Sequence, residues 1–120
     1  MVHPFATAVV AGDYEGAVAT LATDITFHSP AVHKAYHGKE QVGGLLRLVA
    51  TVFENFRYVH EWRDGNTTVL FFEANVGDRA LQGVDILEDN DAGAVQALTV
   101  MIRPLSGLQA VVAAMAERLG

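Results

Sequence analysis

Residues 67–89 read TTVLFFEANVGDRALQGVDILED, two apolar, β-branched and aromatic runs joined at Gly77-Asp78. Gly-Asp is turn chemistry that tolerates positive φ, and so short a connection makes its flanking strands antiparallel neighbours. The pattern continues outwards. Strand-like runs near 56–63 and 94–103 flank the pair, set off by Asp64-Gly65-Asn66 and Asn90-Asp91-Ala92-Gly93. Four antiparallel strands in sequence order are therefore expected. Val69-Leu70-Phe71-Phe72 and Leu98-Thr99-Val100-Met101-Ile102 are apolar at nearly every position, so both faces of the sheet should be covered. Helices can cover one face, and a second copy of the chain is expected on the other, giving a homodimer through the sheet.

Inside the third run, Gly83-Val84-Asp85-Ile86-Leu87 places one carboxylate among oily neighbours. Such a group finds a partner, neutralises itself through a raised pKa, or marks a cavity where a ligand meets it. Two readings stay open for Asp85: a pocket acid, or a structural ion pair with Arg57, Arg63, Arg79 or Arg103 on a neighbouring strand.

Upstream of the strands, Val42, Leu45, Leu46, Val49, Val52 and Phe53 recur at three- and four-residue steps, which predicts a helix from Lys39 to about Phe53. Phe5, Ala8 and Val9 keep the same period. After Gly12-Asp13 it resumes at Tyr14, Ala17, Val18 and Leu21, so two short helices or one kinked helix are expected, with Asp13 as a cap. Ile25-Thr26-Phe27-His28 alternates like a half-buried strand that Ser29-Pro30 ends, and a loop should run to about Gly38. Pro104 suits a first helical turn. Ser106 and Gln109 have capping-box spacing, and Leu108, Val111, Val112, Met115 and Leu119 make a closing amphipathic helix.

Composition bounds the function. The 120 residues suit a single domain, 1–120, with one core. Apolar residues make up 51% and charged residues 18%, far from the composition of disorder. With 14 acidic against 8 basic residues and no Lys/Arg cluster, the chain should repel phosphate backbones and anionic membranes. No cysteine is present, which excludes disulfides and thiolate chemistry. Phe5 to Ala11 is too short for a secretory core, no run is long enough to span a bilayer, and a cytoplasmic location is expected. His33 and His37 have helical i, i+4 spacing but sit in the probable loop with no carboxylate to complete a set, so no metal is expected, and with no Gly-rich phosphate loop or dinucleotide fingerprint no cofactor is expected either.

The order helix, helix, short strand, helix and four further strands resembles the nuclear transport factor 2-like superfamily. Ala11-Gly12-Asp13, then LATDITFHSP from Leu21 to Pro30, then Gly38 before a helix, is similar to the first half of ketosteroid isomerases and SnoaL-like polyketide cyclases. This resemblance covers almost the whole chain. It implies an α+β cone in which a curved antiparallel sheet wraps the N-terminal helices around an apolar pocket. In the isomerases the general base directly precedes the proline ending the first strand, a place held here by Ser29, which without an adjacent base cannot take a proton from carbon. The phenol donor of the first helix falls on Phe5, which donates nothing. The protonated carboxylic acid, a neutral hydrogen-bond donor in the ketosteroid isomerases, falls on Asp85. Epoxide hydrolases of the superfamily carry an Arg two residues before that acid, where this chain has Gly83.

The resemblance thus implies a pocket for a small, largely apolar molecule bearing a carbonyl or hydroxyl. If chemistry occurs there, it would be cofactor-free isomerisation, cyclisation or hydrolysis, with Asp85 and His28 as the acid/base pair. The alternative is a binding or dimerisation domain without catalysis. Phe56, Tyr58, His60 and Trp62 share one face of their strand by period two, as a ligand wall or as ordinary core. Tyr14, Phe27, Trp62, Phe71 and Met101 are the expected pocket walls.

Overall fold

In a computed structural model, which describes residues 2–119, helices α1 (Pro4–Val10) and α2 (Tyr14–Ala19) precede strands β1 (Leu21–His28) and β2 (Tyr36–His37). Helix α3 (Lys39–Ala50) leads into β3 (Glu54–Asp64), β4 (Thr67–Val76), β5 (Arg79–Asp89) and β6 (Val95–Arg103), and α4 (Leu105–Leu119) closes the chain. The strands form one curved, unclosed sheet in the order β2-β1-β6-β5-β4-β3. Strands β3 to β6 pair antiparallel as their short turns require, whereas β1 lies parallel to β6, from which the long connection through β2, α3 and strands β3 to β5 separates it.

Several local expectations change. Leu21 continues the helical period in sequence but opens β1, since α2 ends at Ala19 and Thr20 closes its last turn. The loop before Gly38 contains β2, held to β1 through Thr26–His37 and Phe27–Tyr36. Helix α4 starts at Leu105, which puts Ser106 inside the first turn rather than at the cap. Asp13 does cap α2, accepting from the Gly16 N–H at 2.9 Å. Helices α2 and α3 pack closely where a Cβ on Gly43 would lie 3.0 Å from Val18, whereas one on Gly44 would meet nothing within 4 Å.

Alternation on the sheet separates an inner from an outer face. Leu70, Phe72 and Ala74 of β4, Leu81, Asp85 and Leu87 of β5 and Leu98 of β6 point inwards and are buried. Helices α1, α2 and α3 pack over one part of that face, joining Phe5, Ala17, Val18 and Val42 to Ile25, Leu70, Leu87 and Leu98. Each of the larger side chains among them, from Val to Phe, contributes roughly 1.5–3 kcal/mol where fully buried. Helix α4 covers the rest through Val111 beside Phe72, Ala74 and Leu81.

Strand β3 breaks its own alternation. Tyr58 pairs with Phe72 and His60 with Phe71, so two steps on β3 match one step on β4 and Val59 is the extra residue of a bulge. Phe56 and Tyr58 therefore face inwards, while His60 and Trp62 are turned out. Their rings stack with centroids 5.2 Å apart, and His60 also reaches Phe71 on the outer face.

Candidate active site

The inner face of the sheet and the four helices leave a cavity of about 360 Å³ between them. Its walls are built by periodicity: Phe5 and Val9 from α1, Tyr14 and Ala17 from α2, the 45, 46 and 49 positions of α3, and the 108 to 119 stripe of α4 all present apolar surface. Phe27, Phe72 and Leu98 supply the sheet side. Among the lining residues Asp85 carries the one carboxylate, and none is Lys, Arg or His. The other polar side chains at the wall are Ser29, Tyr14, Tyr36 and Tyr58.

Asp85 is 8% exposed and receives a hydrogen bond from the Tyr58 hydroxyl, Oη to Oδ2, at 2.7 Å. No Arg reaches it among the described residues. The four arginines weighed from sequence go elsewhere: Arg57 pairs with Glu73, Arg79 with Asp78, Arg103 donates to Gln82 and Arg63 to the Gly65 carbonyl. Burial without a cation penalises the ionised carboxylate and lifts the Asp85 pKa to about 7, and the Tyr58 hydrogen bond opposes that rise. Tyr58 is pushed well above 10 by burial first, then by the neighbouring carboxylate and its hydrogen bond to it, with Tyr14 adding a smaller push in the same direction. The phenol thus keeps its proton at any ordinary pH.

Two local features bring this pair together. The bulge at Val59 lets β3 present Phe56 and Tyr58 inwards before the strand turns over. Gly83, one inward step before Asp85, leaves room for the Phe72 ring to lie across β5, where Phe72 stacks on Phe56 at 5.0 Å and meets Tyr58 edge-on at 6.4 Å. Tyr58 is thereby held over β4 with its hydroxyl at Asp85.

The residues singled out from sequence divide cleanly. Asp85, Tyr14 and Phe27 line the cavity. His28 does not: it follows the inward Phe27 by one residue on a strand, so its side chain is exposed on the other face. Trp62 and Met101, 53% and 55% exposed, and Phe71 lie on the outer face, Trp62 because of the bulge and the other two by alternation from inward Phe72 and Val100. Tyr58 escaped notice as the partner of Asp85, although it stood in the aromatic row; the available signal was its inward phase with Phe56. Ser29 and Phe5 are both at the cavity wall, without an acidic or phenolic group at either place.

Chemically, a neutral Asp85 can donate to a carbonyl oxygen from the oxygen that Tyr58 leaves free, and an ionised Asp85 can accept from a hydroxyl. Beside Asp85 the lining residues include no second carboxylate and no imidazole to relay a proton across a ligand, and the remaining proton donors at the wall are the phenols and Ser29.

A family model described as the SnoaL-like domain matches residues 2–117. Among solved structures, the chain is similar to a steroid delta-isomerase from Pseudomonas aeruginosa at 40% identity and TM-score 0.90, over 94% of this chain and 84% of that one. It is also similar to an uncharacterised protein with a cystatin-like fold from Silicibacter pomeroyi, at 32% identity and TM-score 0.91, over 98% and 86% of the two chains. A putative ketosteroid isomerase from Kribbella flavida shares the fold at 19% identity and TM-score 0.69, over 84% and 73%. No curated protein sequence matches.

Proposed function

This chain belongs to the SnoaL-like family, and from that premise we propose that it receives a small, uncharged, largely apolar molecule whose carbonyl or hydroxyl oxygen meets Asp85. The observation that carries the reading is a cavity of about 360 Å³, within the range of small-molecule sites, whose single carboxylate is buried, cation-free and bonded to a phenol. An anionic ligand would lose its hydration there without gaining a counter-charge, and a cationic one would find a counter-charge only in ionised Asp85. A ketone or alcohol loses little and gains one directed hydrogen bond.

The test uses prodan, an uncharged naphthyl ketone whose emission moves to the blue in apolar surroundings. A ketone accepts only from neutral Asp85, so prodan should bind more tightly at about pH 5.5 than at about pH 8.5. Asp85→Asn, neutral at every pH, should remove that dependence. If prodan shows no saturable blue shift, or if wild type and Asp85→Asn respond alike to pH, the reading fails.

A second reading, proton transfer by Asp85 alone, is favoured by its pKa near 7 and by the likeness to a protein described as a steroid delta-isomerase. Ser29 and Phe5 weigh against isomerisation by the family's usual groups, and binding without turnover is preferred. Conversion of a β,γ-unsaturated ketosteroid by wild type, abolished in Asp85→Asn, would reverse that preference.

The outer face belongs to the same reading. Trp62, Phe71, Val84 and Met101 form an apolar patch with Arg57, Glu73, Gln82 and Arg103 at its margin. Because both charge signs occur on that margin, a second copy meets no uniform like-charge repulsion there, and we assign the patch to a homodimer.

A further inference from the structure

Helix α4 is fixed firmly at one end and lightly at the other. At its start Gly107 lies so close to β5 that a Cβ would come within 2.8 Å of the Leu81 Cβ, and Val111 is buried against the sheet. Beyond Val111 the helix overhangs the cavity. Val112 and Leu119 line the cavity yet are 44% and 70% exposed, so the space opens to solvent beside this half of the helix. Val32, from the loop after β1, shares that rim.

One side chain ties the overhanging half down. Arg118 donates from Nε to Thr51 Oγ1 at 2.7 Å and from Nη2 to the Thr51 carbonyl at 3.1 Å, while Nη1 donates to the Ala114 carbonyl of its own helix at 3.1 Å. Thr51 is the C-terminal cap of α3. The negative ends of two helix dipoles, α3 and α4, thus converge on one guanidinium, which satisfies carbonyl groups of both. Among the described residues Arg118 has no acidic partner. Its bonds are exposed, and exposed bonds of this kind exchange with water at small cost. Val49, Ala50 and Phe53 on the α3 side and Met115, Ala116 and Leu119 on the α4 side face the cavity directly beneath this tie.

We propose that the C-terminal half of α4 is a lid that opens by fraying of the helix beyond Val111 and is latched by Arg118 to Thr51, and that molecules enter and leave the cavity beneath it. The route rests on the ligand reading above; the mobility of the lid does not. A latch stabilises the closed state only, so its removal raises the open population and speeds entry and exit together.

Hydrogen exchange and stopped-flow prodan fluorescence on the whole chain separate the two ideas. In Arg118→Ala the amides of residues 112–119 should exchange roughly fivefold faster, with β4 and β5 unchanged, and prodan association and dissociation should both accelerate by a similar factor. Thr51→Val, which keeps the carbonyl and loses Oγ1, should give a smaller change in the same direction. Unchanged exchange in α4 overturns the lid even if prodan binds. Faster exchange with unchanged prodan rates keeps the lid but overturns the entry route. Failure of prodan to bind wild type removes the ligand reading and leaves the exchange result to decide the lid.

Discussion

The Tyr58 hydroxyl donates to Asp85 Oδ2 at 2.7 Å, reaching from β3 over β4 to β5, two strands away. The phenol that the family resemblance would put on the first helix is absent at Phe5, and a phenol arrives at the acid from the sheet instead. Its direction matters: as a donor Tyr58 favours the ionised carboxylate, and burial favours the neutral one.

Removing the donor should therefore leave burial unopposed. In Tyr58→Phe the Asp85 carboxyl, followed by carbon NMR, should titrate at a higher midpoint than in wild type. A lower or unchanged midpoint would mean that the hydrogen bond does not hold in solution.

Asp85→Asn should alter the pH dependence of stability. An unfolded aspartate titrates near 3.9, and the folded value here is raised to about 7, so the folded state holds the proton more tightly. Stability from this group is complete below about pH 4, falls as pH rises through about 7, and stays low above it. Asn cannot ionise and still accepts from Tyr58. Urea denaturation should find the two proteins similar near pH 4 and the variant more stable, by on the order of 3 kcal/mol, near pH 8.5. A wild type equal to or more stable than the variant at the higher pH contradicts the buried-acid account.

Gly83→Ala tests how the pair is held. A Cβ there would overlap the Phe72 Cζ and sit 2.6 Å from the Met101 carbonyl oxygen, and the second of these is backbone that cannot step aside. The expected cost is roughly 1–3 kcal/mol by chemical denaturation, with weaker prodan binding because Phe72 no longer backs Tyr58. A neutral substitution would show that Phe72 and the β6 backbone yield to the added Cβ.

Much of this molecule was legible in its sequence because its signals were local. Gly65, Gly77 and Gly93 sit at positive φ in turns that bound β4, β5 and β6, and Asp85 stood out as one acid in an apolar strand. What failed were inferences that depend on phase. Tyr58, His60 and Trp62 follow period two in sequence, and nothing in the residues around Val59 announces the bulge that turns Trp62 outwards. Phe27 and His28 are adjacent on a strand and cannot both face a pocket, so that correction was available from alternation alone. Leu21 satisfied the helical period and was taken by a strand because β6 offers it a partner in Val95. Whether Asp85 met an Arg or a phenol was a tertiary question, settled by residues on three other strands.

For the outer face, Met101→Lys should place a charge at the centre of the apolar patch. Sedimentation is expected to show a dimer for wild type and a monomer for the variant at equal concentration. Two monomers, or two dimers, would exclude this face as the contact.

The most direct measurement is the titration midpoint of the Asp85 carboxyl by carbon NMR, without and with saturating prodan. A ketone held by neutral Asp85 should move a midpoint of about 7 upwards, because the ligand adds an interaction only to the protonated form. An ordinary surface value, or a midpoint that saturating ligand leaves in place, would contradict the claim that this buried acid meets the ligand.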